Sequence, residues 1–185
     1  MSNYRDEFLA DTYYLVSNKW FNSNVLFENA DDYKTFMLYV IENLLEYKWL
    51  IMSSYSIVPD HFHFVIKNCE SGFKLSDFMR KIQVSYAMYF KKKQENNPES
   101  KWVPVFAWRF KADKIEPDEI DNIESCVSND PVYHEFIEEI KDWPYSSIHQ
   151  VTQTWYDYMT DTHIKIYNDG RWIKKKFFTP ETHQV

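Results

Sequence analysis

The chain has 185 residues, a length that fits one domain with a sizeable core. Hydrophobic residues make up 44% of it and aromatic residues 19%, which excludes an intrinsically disordered chain. With two glycines and no Walker or Rossmann fingerprint, it is not built on a glycine-rich phosphate loop. No apolar run approaches the roughly 20 residues that cross a bilayer, and no apolar signal core is present. We expect a soluble, cytoplasmic protein with reduced thiols at Cys69 and Cys126.

Charge is unevenly distributed along the chain. The net charge is −7, which argues against a protein that binds nucleic acid over its whole surface. Between Lys74 and Lys114, however, ten basic and four acidic residues give a local charge of +6. The rest of the chain therefore has a charge of −13. This basic middle segment could bind a phosphate backbone locally. On charge alone, lysines solvated at a helix end are the simpler interpretation.

The first half of the chain predicts four elements from its apolar periodicity. They are, in chain order, a strand over residues 12–17, a helix that Asn29 or Asp31 caps and that extends to Tyr47, and strands over residues 49–58 and 61–67. Pro59 and Asp60 are turn residues between the last two strands, which therefore form a hairpin.

The second half predicts further helices and one strand. They are, in chain order, a helix that Ser76 caps and that ends in Lys91 to Lys93, a strand over residues 105–115, a helix over residues 117–129 that Pro131 stops, and a short acidic helix over residues 133–141. The order β-α-β-β-α-β-α predicts an α+β fold with a ferredoxin-like antiparallel sheet and helices packed on one face. We expect a single domain over residues 1–150 and a C-terminal tail, 151–185, that could pack on it.

The hairpin carries the most informative short pattern, His61-Phe-His63-Phe. Strand side chains alternate between faces, so Phe62 and Phe64 should enter the core while His61 and His63 lie side by side on the other face. Two neighbouring imidazoles can bind one divalent cation without selecting a particular metal. Two half-exposed histidines on an open sheet face are the alternative interpretation of this pattern.

Further motifs accompany these histidines over residues 14–147. They are Tyr14 to Val16, Lys19-Trp20-Phe21-Asn22, Phe27, Pro59-Asp60-His61-Phe62-His63-Phe64-Val65, Ser85-Tyr86-Ala87-Met88-Tyr89-Phe90, Phe106 with Arg109-Phe110-Lys111, and Trp143-Pro144-Tyr145-Ser146-Ser147. In this order they resemble the single-tyrosine HUH transposases, in particular the REP-associated tyrosine transposase branch. Aspartate stands at Asp60 where that family usually has asparagine, lysine at Lys19 where it has arginine, and its loop glycine is missing.

The resemblance also implies a catalytic helix ahead of Pro131-Val132. It places the third metal ligand at Asp130, beside His61 and His63, and the nucleophile at Cys126, where the family has tyrosine. A thiol is an unusual nucleophile for a phosphodiester, so a small half-buried side chain is the simpler interpretation of Cys126. Tyr133 is an alternative nucleophile. If the register slips by one residue, Asn129 becomes the metal-side residue and Ser125 the nucleophile position.

The function that this resemblance implies is metal-dependent cleavage and transfer of single-stranded or hairpin DNA ends, with Mg²⁺ or Mn²⁺ as cofactor and a homodimer as a possible assembly. Cleavage is expected to be impaired by Cys126. The expected DNA contacts are Lys19, Trp20, Lys91, Lys92, Lys93, Arg109 and Lys111. A transposase-derived DNA-binding protein or repressor without cleavage is the alternative. The acidic pI of about 5.4 also leaves open a small metal-dependent hydrolase or a plain binding module.

Overall fold

Four antiparallel strands form one sheet in the order β2-β3-β1-β4, where β1 is Thr12–Lys19, β2 Leu50–Val58, β3 His61–Asn68 and β4 Lys111–Ile115. The computed structural model describes residues 7–21, 25–95, 104–107 and 109–149. Two long helices, α1 (Ala30–Glu46) and α2 (Lys74–Lys93), connect the strands as a β-α-β-β-α-β unit. The predicted α+β, ferredoxin-like class is thus confirmed. The predicted tail, 151–185, lies outside the described residues, as does Asn22.

The strand predicted over residues 105–115 is shorter than expected, since β4 begins only at Lys111. Phe106 bridges Trp20 and Lys111 pairs with Ser17, so five steps along this segment oppose three along β1. The two extra residues interrupt the ladder between these points. Residues 104–107 therefore lie beside the end of β1 without extending β4.

The two long helices begin differently. Asn29 caps α1 as one of the two predicted candidates, and its side chain and that of Asp32 form a reciprocal capping box. The prediction that Ser76 caps α2 is wrong, because that helix already begins at Lys74. Ser76 is buried inside the helix, and its hydroxyl has no partner among the described residues. Gly72, at φ +123°, provides the turn before this helix.

The main core lies between the sheet and the pair α1 and α2. Phe62, Phe64 and Ile66 project into it from β3 and are fully buried. The two phenylalanine rings pack against Phe36 of α1, whose ring centroid lies 5.1 Å from that of Phe62. Tyr86 of α2 packs edge-on against Phe36 at 5.2 Å. The apolar side of the HFHFVI alternation therefore holds both long helices on one face of the sheet.

A third helix lies on the other face of the sheet, a placement that the sequence did not indicate. This helix, α3 (Ile120–Ser128), packs Val127 against Val65 of β3 and Ile115 of β4 in a second, smaller core. One residue later the short helix α4 (Asp130–Tyr133) begins with a proline in its first turn. The chain thus stops α3 ahead of Pro131, as predicted, and starts again in a new direction.

The short acidic helix predicted over residues 133–141 is absent from the described chain. Instead, α4 ends at Tyr133, Glu135 adopts the left-handed conformation at φ 56°, and a single 3-10 turn forms at Ile140–Asp142. A left-handed residue interrupts a right-handed helix, and here it turns Phe136 into the main core. Among the described residues, no helix has the length and apolar character to span a bilayer.

Candidate metal centre and DNA-binding face

The two hairpin histidines lie on the sheet face that α1 and α2 leave uncovered. The predicted alternation is present, with Phe62 and Phe64 buried on one side and His61 and His63 partly exposed on the other. The imidazole centroids of the two histidines are 5.1 Å apart. Because β3 is flanked by β1 and β2, this strand holds both rings on a rigid sheet.

Asp130 approaches these histidines from the break between α3 and α4. Its carboxylate is buried, with Oδ2 at 3.3 Å from His61 Nε2 and Oδ1 at 4.0 Å from His63 Nε2. The hydroxyl of Ser56, which is paired with His63 across β2 and β3, donates to Asp130 Oδ2 at 3.4 Å. The alternative metal-side residue, Asn129, instead donates its side-chain amide to the carbonyl of Ser125. Of the two registers, only the first brings a side chain to the histidines.

A further histidine joins the group, and sequence reasoning missed it. His134 follows Asp130 by four residues, which brings the two side chains together across the first turn of α4. Its Nε2 lies 3.5 Å from Asp130 Oδ1, and its ring centroid lies 4.8 Å from that of His61. The Asp-x-x-x-His spacing was the available signal. The acidic helix predicted over residues 133–141 separated His134 from Asp130 and hid this spacing.

Asp60 orients the first histidine of the pattern. Its Oδ1 lies 2.7 Å from His61 Nδ1, and the carboxylate therefore occupies that nitrogen and leaves Nε2 pointing at Asp130. A carboxylate on the outer nitrogen of a metal-binding histidine fixes the ring and increases its basicity. Aspartate in place of the family's asparagine thus puts a negative charge next to the outer nitrogen of His61, where it fixes the ring and increases its basicity.

The pKa values of the group reflect this crowding of opposite charges. Burial opposes the charge of His61, but the hydrogen bonds and charges of Asp130 and Asp60 outweigh it and raise its pKa to about 9. Burial likewise opposes the charges of Asp60 and Asp130, yet their contacts with His61 hold both pKa values below the ordinary range. Burial lowers the pKa of His63, which stays neutral near pH 7.

The donor set fits a divalent metal. One ligand atom from each of His61, Asp130 and His134 lies within 4.8 Å of the other two. His63 is not a member of this group, but its Nε2 lies 4.0 Å from Asp130 Oδ1 and its buried Nδ1 has no partner among the described residues. Imidazole nitrogens with one carboxylate are ordinary ligands for Mn²⁺, Co²⁺ or Zn²⁺, and a carboxylate also suits Mg²⁺. The side chains therefore form a possible His and Asp metal site.

Neither candidate nucleophile is buried. Cys126, on α3, and Tyr133, on α4, are both exposed, so the interpretation of Cys126 as a half-buried side chain is wrong. Because α3 ends at Ser128 and α4 starts at Asp130, the four-residue spacing from Cys126 to Asp130 does not run through one continuous helix. By contrast, Tyr86 is buried and its hydroxyl donates to the carbonyl of Leu26, so this tyrosine belongs to the core.

Two predicted DNA contacts lie on the same sheet face as the histidines. Lys19 is exposed and pairs with His61 across β1 and β3. Lys111 is exposed and pairs with Ser17, which in turn pairs with His63. Paired residues of an antiparallel sheet share a face, so both lysines flank the metal-site residues.

The remaining predicted contacts divide into two groups. Trp20 is buried in the core, with its ring centroid 4.8 Å from that of Phe90, which leaves its side chain little surface for the predicted DNA contact. Lys93 pairs with Asp32 of α1 and with Glu28, which precedes that helix. Of the other predicted contacts, Lys91 and Lys92 at the end of α2, and Arg109, are exposed.

Comparisons with known proteins agree with this architecture. The pattern of the family described as "Transposase IS200 like" matches residues 19–130, well over half of the chain. A structure of a REP-associated tyrosine transposase bound to a REP hairpin is 17% identical, with a TM-score of 0.64, over 80% of this chain and 84% of that one. It shares the fold.

Two further structures show weaker likeness. A putative transposase from Deinococcus radiodurans is 15% identical with a TM-score of 0.39, over 70% of this chain and 95% of that one. A tRNA(His) guanylyltransferase from Saccharomyces cerevisiae is 16% identical with a TM-score of 0.49, over 86% and 74%. A comparison with curated protein sequences gives no match. The match of the family pattern over most of the folded domain shows that the chain belongs to the IS200-like transposases.

Proposed function

We propose that this protein binds hairpin or single-stranded DNA ends and places a backbone phosphate at a divalent metal held by His61, His63 and Asp130. The observation that carries this proposal is the convergence of these side chains on the open face of the sheet, in a member of a transposase family. The structural relative of the same fold was solved with a REP hairpin bound, which supports a hairpin as the substrate class.

The residues around the centre have separate tasks in this proposal. Asp60 holds His61 in one tautomer, and Ser56 holds one oxygen of Asp130. When bound, Mg²⁺ or Mn²⁺ would polarise the scissile phosphate. Lys19 and Lys111 flank the histidines and neutralise adjacent phosphates. Arg109, Lys91 and Lys92 extend this contact along the DNA backbone.

Cleavage is the step that this chain performs poorly. A nucleophile must attack in line with its reacting atoms about 3–3.5 Å apart. Cys126 stands at the position where the family has tyrosine, and a cysteine side chain is several ångströms shorter. We propose that DNA and metal binding persist while formation of a covalent link to DNA is impaired. The second candidate function, a DNA-binding protein or repressor without cleavage, is favoured by the same residue.

The test is a denaturing gel with an end-labelled hairpin oligonucleotide and Mn²⁺, run for wild type and three variants. Cys126→Tyr should raise or restore the covalent adduct, whereas Cys126→Ser and Tyr133→Phe should leave the weak wild-type signal unchanged. Loss of the adduct in Tyr133→Phe alone would identify Tyr133 as the nucleophile. Loss in Cys126→Ser alone would show a catalytic thiol. No adduct from any variant, with hairpin binding intact, would favour the repressor.

Binding is measured separately, by titrating the hairpin and a matched duplex at several salt concentrations. We expect the hairpin to bind more tightly than the duplex, with an affinity that decreases steeply as salt increases. Binding that is independent of salt, or equal for the two oligonucleotides, would contradict the proposed DNA face. This measurement needs no cleavage, so it tests binding independently of Cys126.

A further inference from the structure

We infer that His134 is a ligand of the same centre, so that three imidazoles and one carboxylate bind a first-row transition metal in preference to Mg²⁺. The inference rests on the proposed metal site and deepens it. The resemblance implied a third ligand at Asp130 and none beyond it. In this chain the side chain nearest to Asp130 Oδ1 within the group is that of His134, at 3.5 Å, compared with 4.0 Å for His63.

Spacing between ligand atoms is the first argument. Two ligands on one four-coordinate metal with bonds of about 2.0–2.1 Å lie about 3.3–3.4 Å apart. The distance from His61 Nε2 to Asp130 Oδ2 is 3.3 Å and that from His134 Nε2 to Asp130 Oδ1 is 3.5 Å, so each imidazole lies near this spacing from one oxygen of the carboxylate. Both imidazoles present Nε2 to the carboxylate, so both present a ring nitrogen toward the position that a shared cation would occupy.

The local chain path is the second argument. The break after Ser128 starts α4 at Asp130, and Pro131 in its first turn fixes the direction of this short helix. Asp130 and His134 are then one turn apart on the same side. The ring of His134 packs edge-on against that of His61, at an interplanar angle of 72°.

Ligand chemistry decides the choice of metal. Mg²⁺ binds oxygen ligands and keeps several waters, so replacing oxygen donors by imidazoles disfavours it. Affinity for nitrogen donors instead increases from Mn²⁺ through Co²⁺ to Cu²⁺ and remains high for Zn²⁺. With two imidazoles and one carboxylate the site would tolerate Mg²⁺. A third imidazole shifts it toward the transition metals, and Mn²⁺ is the ion compatible with both arrangements.

The experiment uses the full chain without a polyhistidine tag, stripped of metal, and titrated with Mg²⁺, Mn²⁺, Co²⁺ and Zn²⁺. Wild type should bind Co²⁺ and Zn²⁺ on the order of a hundredfold or more tightly than Mg²⁺. His134→Ala should weaken Co²⁺ and Zn²⁺ by on the order of tenfold or more, as expected for a group that contacts or orients the metal. Glu138→Gln removes an exposed acid nearby in sequence and serves as the matched control, with unchanged affinities.

A gain of signal makes the test specific to coordination. In Co²⁺-loaded His134→Cys, a thiolate on the metal gives a sulfur-to-cobalt charge-transfer band that wild type, which has the same Cys69 and Cys126, does not give. Its presence supports the inference. Its absence, with His134→Ala binding metals as wild type does, overturns it and leaves His134 as a neighbour of Asp130 only.

The outcomes also separate this inference from the proposed function. Loss of Co²⁺ binding in His61→Ala but not in His134→Ala would retain the metal site and reject the extra ligand. Equal and weak binding by wild type, His61→Ala and His134→Ala, with the fold intact by circular dichroism, would reject both. Hairpin binding without metal, measured on the same samples, shows in that case whether the DNA face survives.

Discussion

The two faces of the central sheet differ in what covers them, although both are built from the same strands. One face is sealed by α1 and α2 over fully buried aromatic rings such as Phe62 and Phe64. The other is only partly covered, by α3 over Val65, and leaves His61 and His63 beside charged side chains. Alternate residues of one strand therefore have different roles. One set packs in the core and stabilises the fold, and the other presents imidazoles that are costly to bury and useful for binding.

The largest expected effect separates these faces by stability. Phe62→Ala should lower the free energy of unfolding by about 3–5 kcal/mol, because it leaves a cavity in the main core. His63→Ala, on the same strand, should cost far less, since its imidazole is partly exposed and its Nδ1 has no partner among the described residues. Urea unfolding in a chelator measures both. Equal losses would show that the histidine face also carries the fold.

The second effect is a dependence of stability on pH. The pKa of His61 is about 9 in the folded chain and 6.5 in the absence of its partners. Its protonated form therefore stabilises the metal-free fold fully below pH 6.5, and this contribution is lost as the pH increases through 9. The loss amounts to at most about 3 kcal/mol. Asp60 and Asp130 have lowered pKa values, so their contributions to stability are lost only as the pH falls into the acid range.

Unfolding free energies between pH 6 and 10, in a chelator, measure this window. The control is His61→Gln, which should be less stable at pH 6 and show a flatter profile. A wild-type stability that is constant across the window would contradict the charge on His61. Added Mn²⁺ should reduce the slope, because metal binding displaces the same proton.

The third effect concerns Asp60, which distinguishes this chain from the family's usual asparagine. Asp60→Asn keeps the shape and a hydrogen-bonding oxygen but removes the anion from His61 Nδ1. We expect metal affinity to decrease by about 10–100-fold, the usual effect of altering the outer partner of a metal-binding histidine. Isothermal titration with Mn²⁺ measures it. Asp113→Asn, on the exposed strand β4, is the control and should have no effect.

Local sequence patterns were sufficient to predict most of the sheet and part of the candidate metal centre. The alternation around Phe62 and Phe64 predicted which face His61 and His63 occupy, since a strand reverses its side chains at every residue. The family resemblance, anchored on Pro131-Val132, implied Asp130 as the third ligand, and the structure places its carboxylate beside His61. These features depend on residues close together in the sequence.

The remainder depended on contacts between distant segments. Trp20 lies beyond the strand predicted over residues 12–17, yet it is buried and packs against Phe90 at the end of α2. His134 joins the centre only because α4 begins at Asp130, after an interruption that no periodicity reveals. Lys93 was predicted to contact DNA together with Lys91 and Lys92, but it forms an ion pair with the buried Asp32 of α1. Each error arose where packing, and not local pattern, decides the environment of a side chain.

The smallest expected effect tests which lysines contact DNA, and it again compares the two faces. Lys111 lies on the histidine face, and its side chain is 73% exposed and forms an ion pair with the exposed Asp113. Lys93, on α2, bonds to the fully buried Asp32 and is occupied by the fold. Lys111→Ala should weaken hairpin binding uniformly across sequences and reduce the salt dependence by about one phosphate contact. Lys93→Ala should instead lower stability, because it removes the cationic partner of a buried carboxylate, and should leave the salt dependence of binding unchanged.

Fluorescence anisotropy of a labelled hairpin over a range of salt concentrations, together with urea unfolding, measures both variants. A lower salt dependence in Lys93→Ala, with Lys111→Ala equal to wild type, would assign the phosphate contact to Lys93 instead of Lys111.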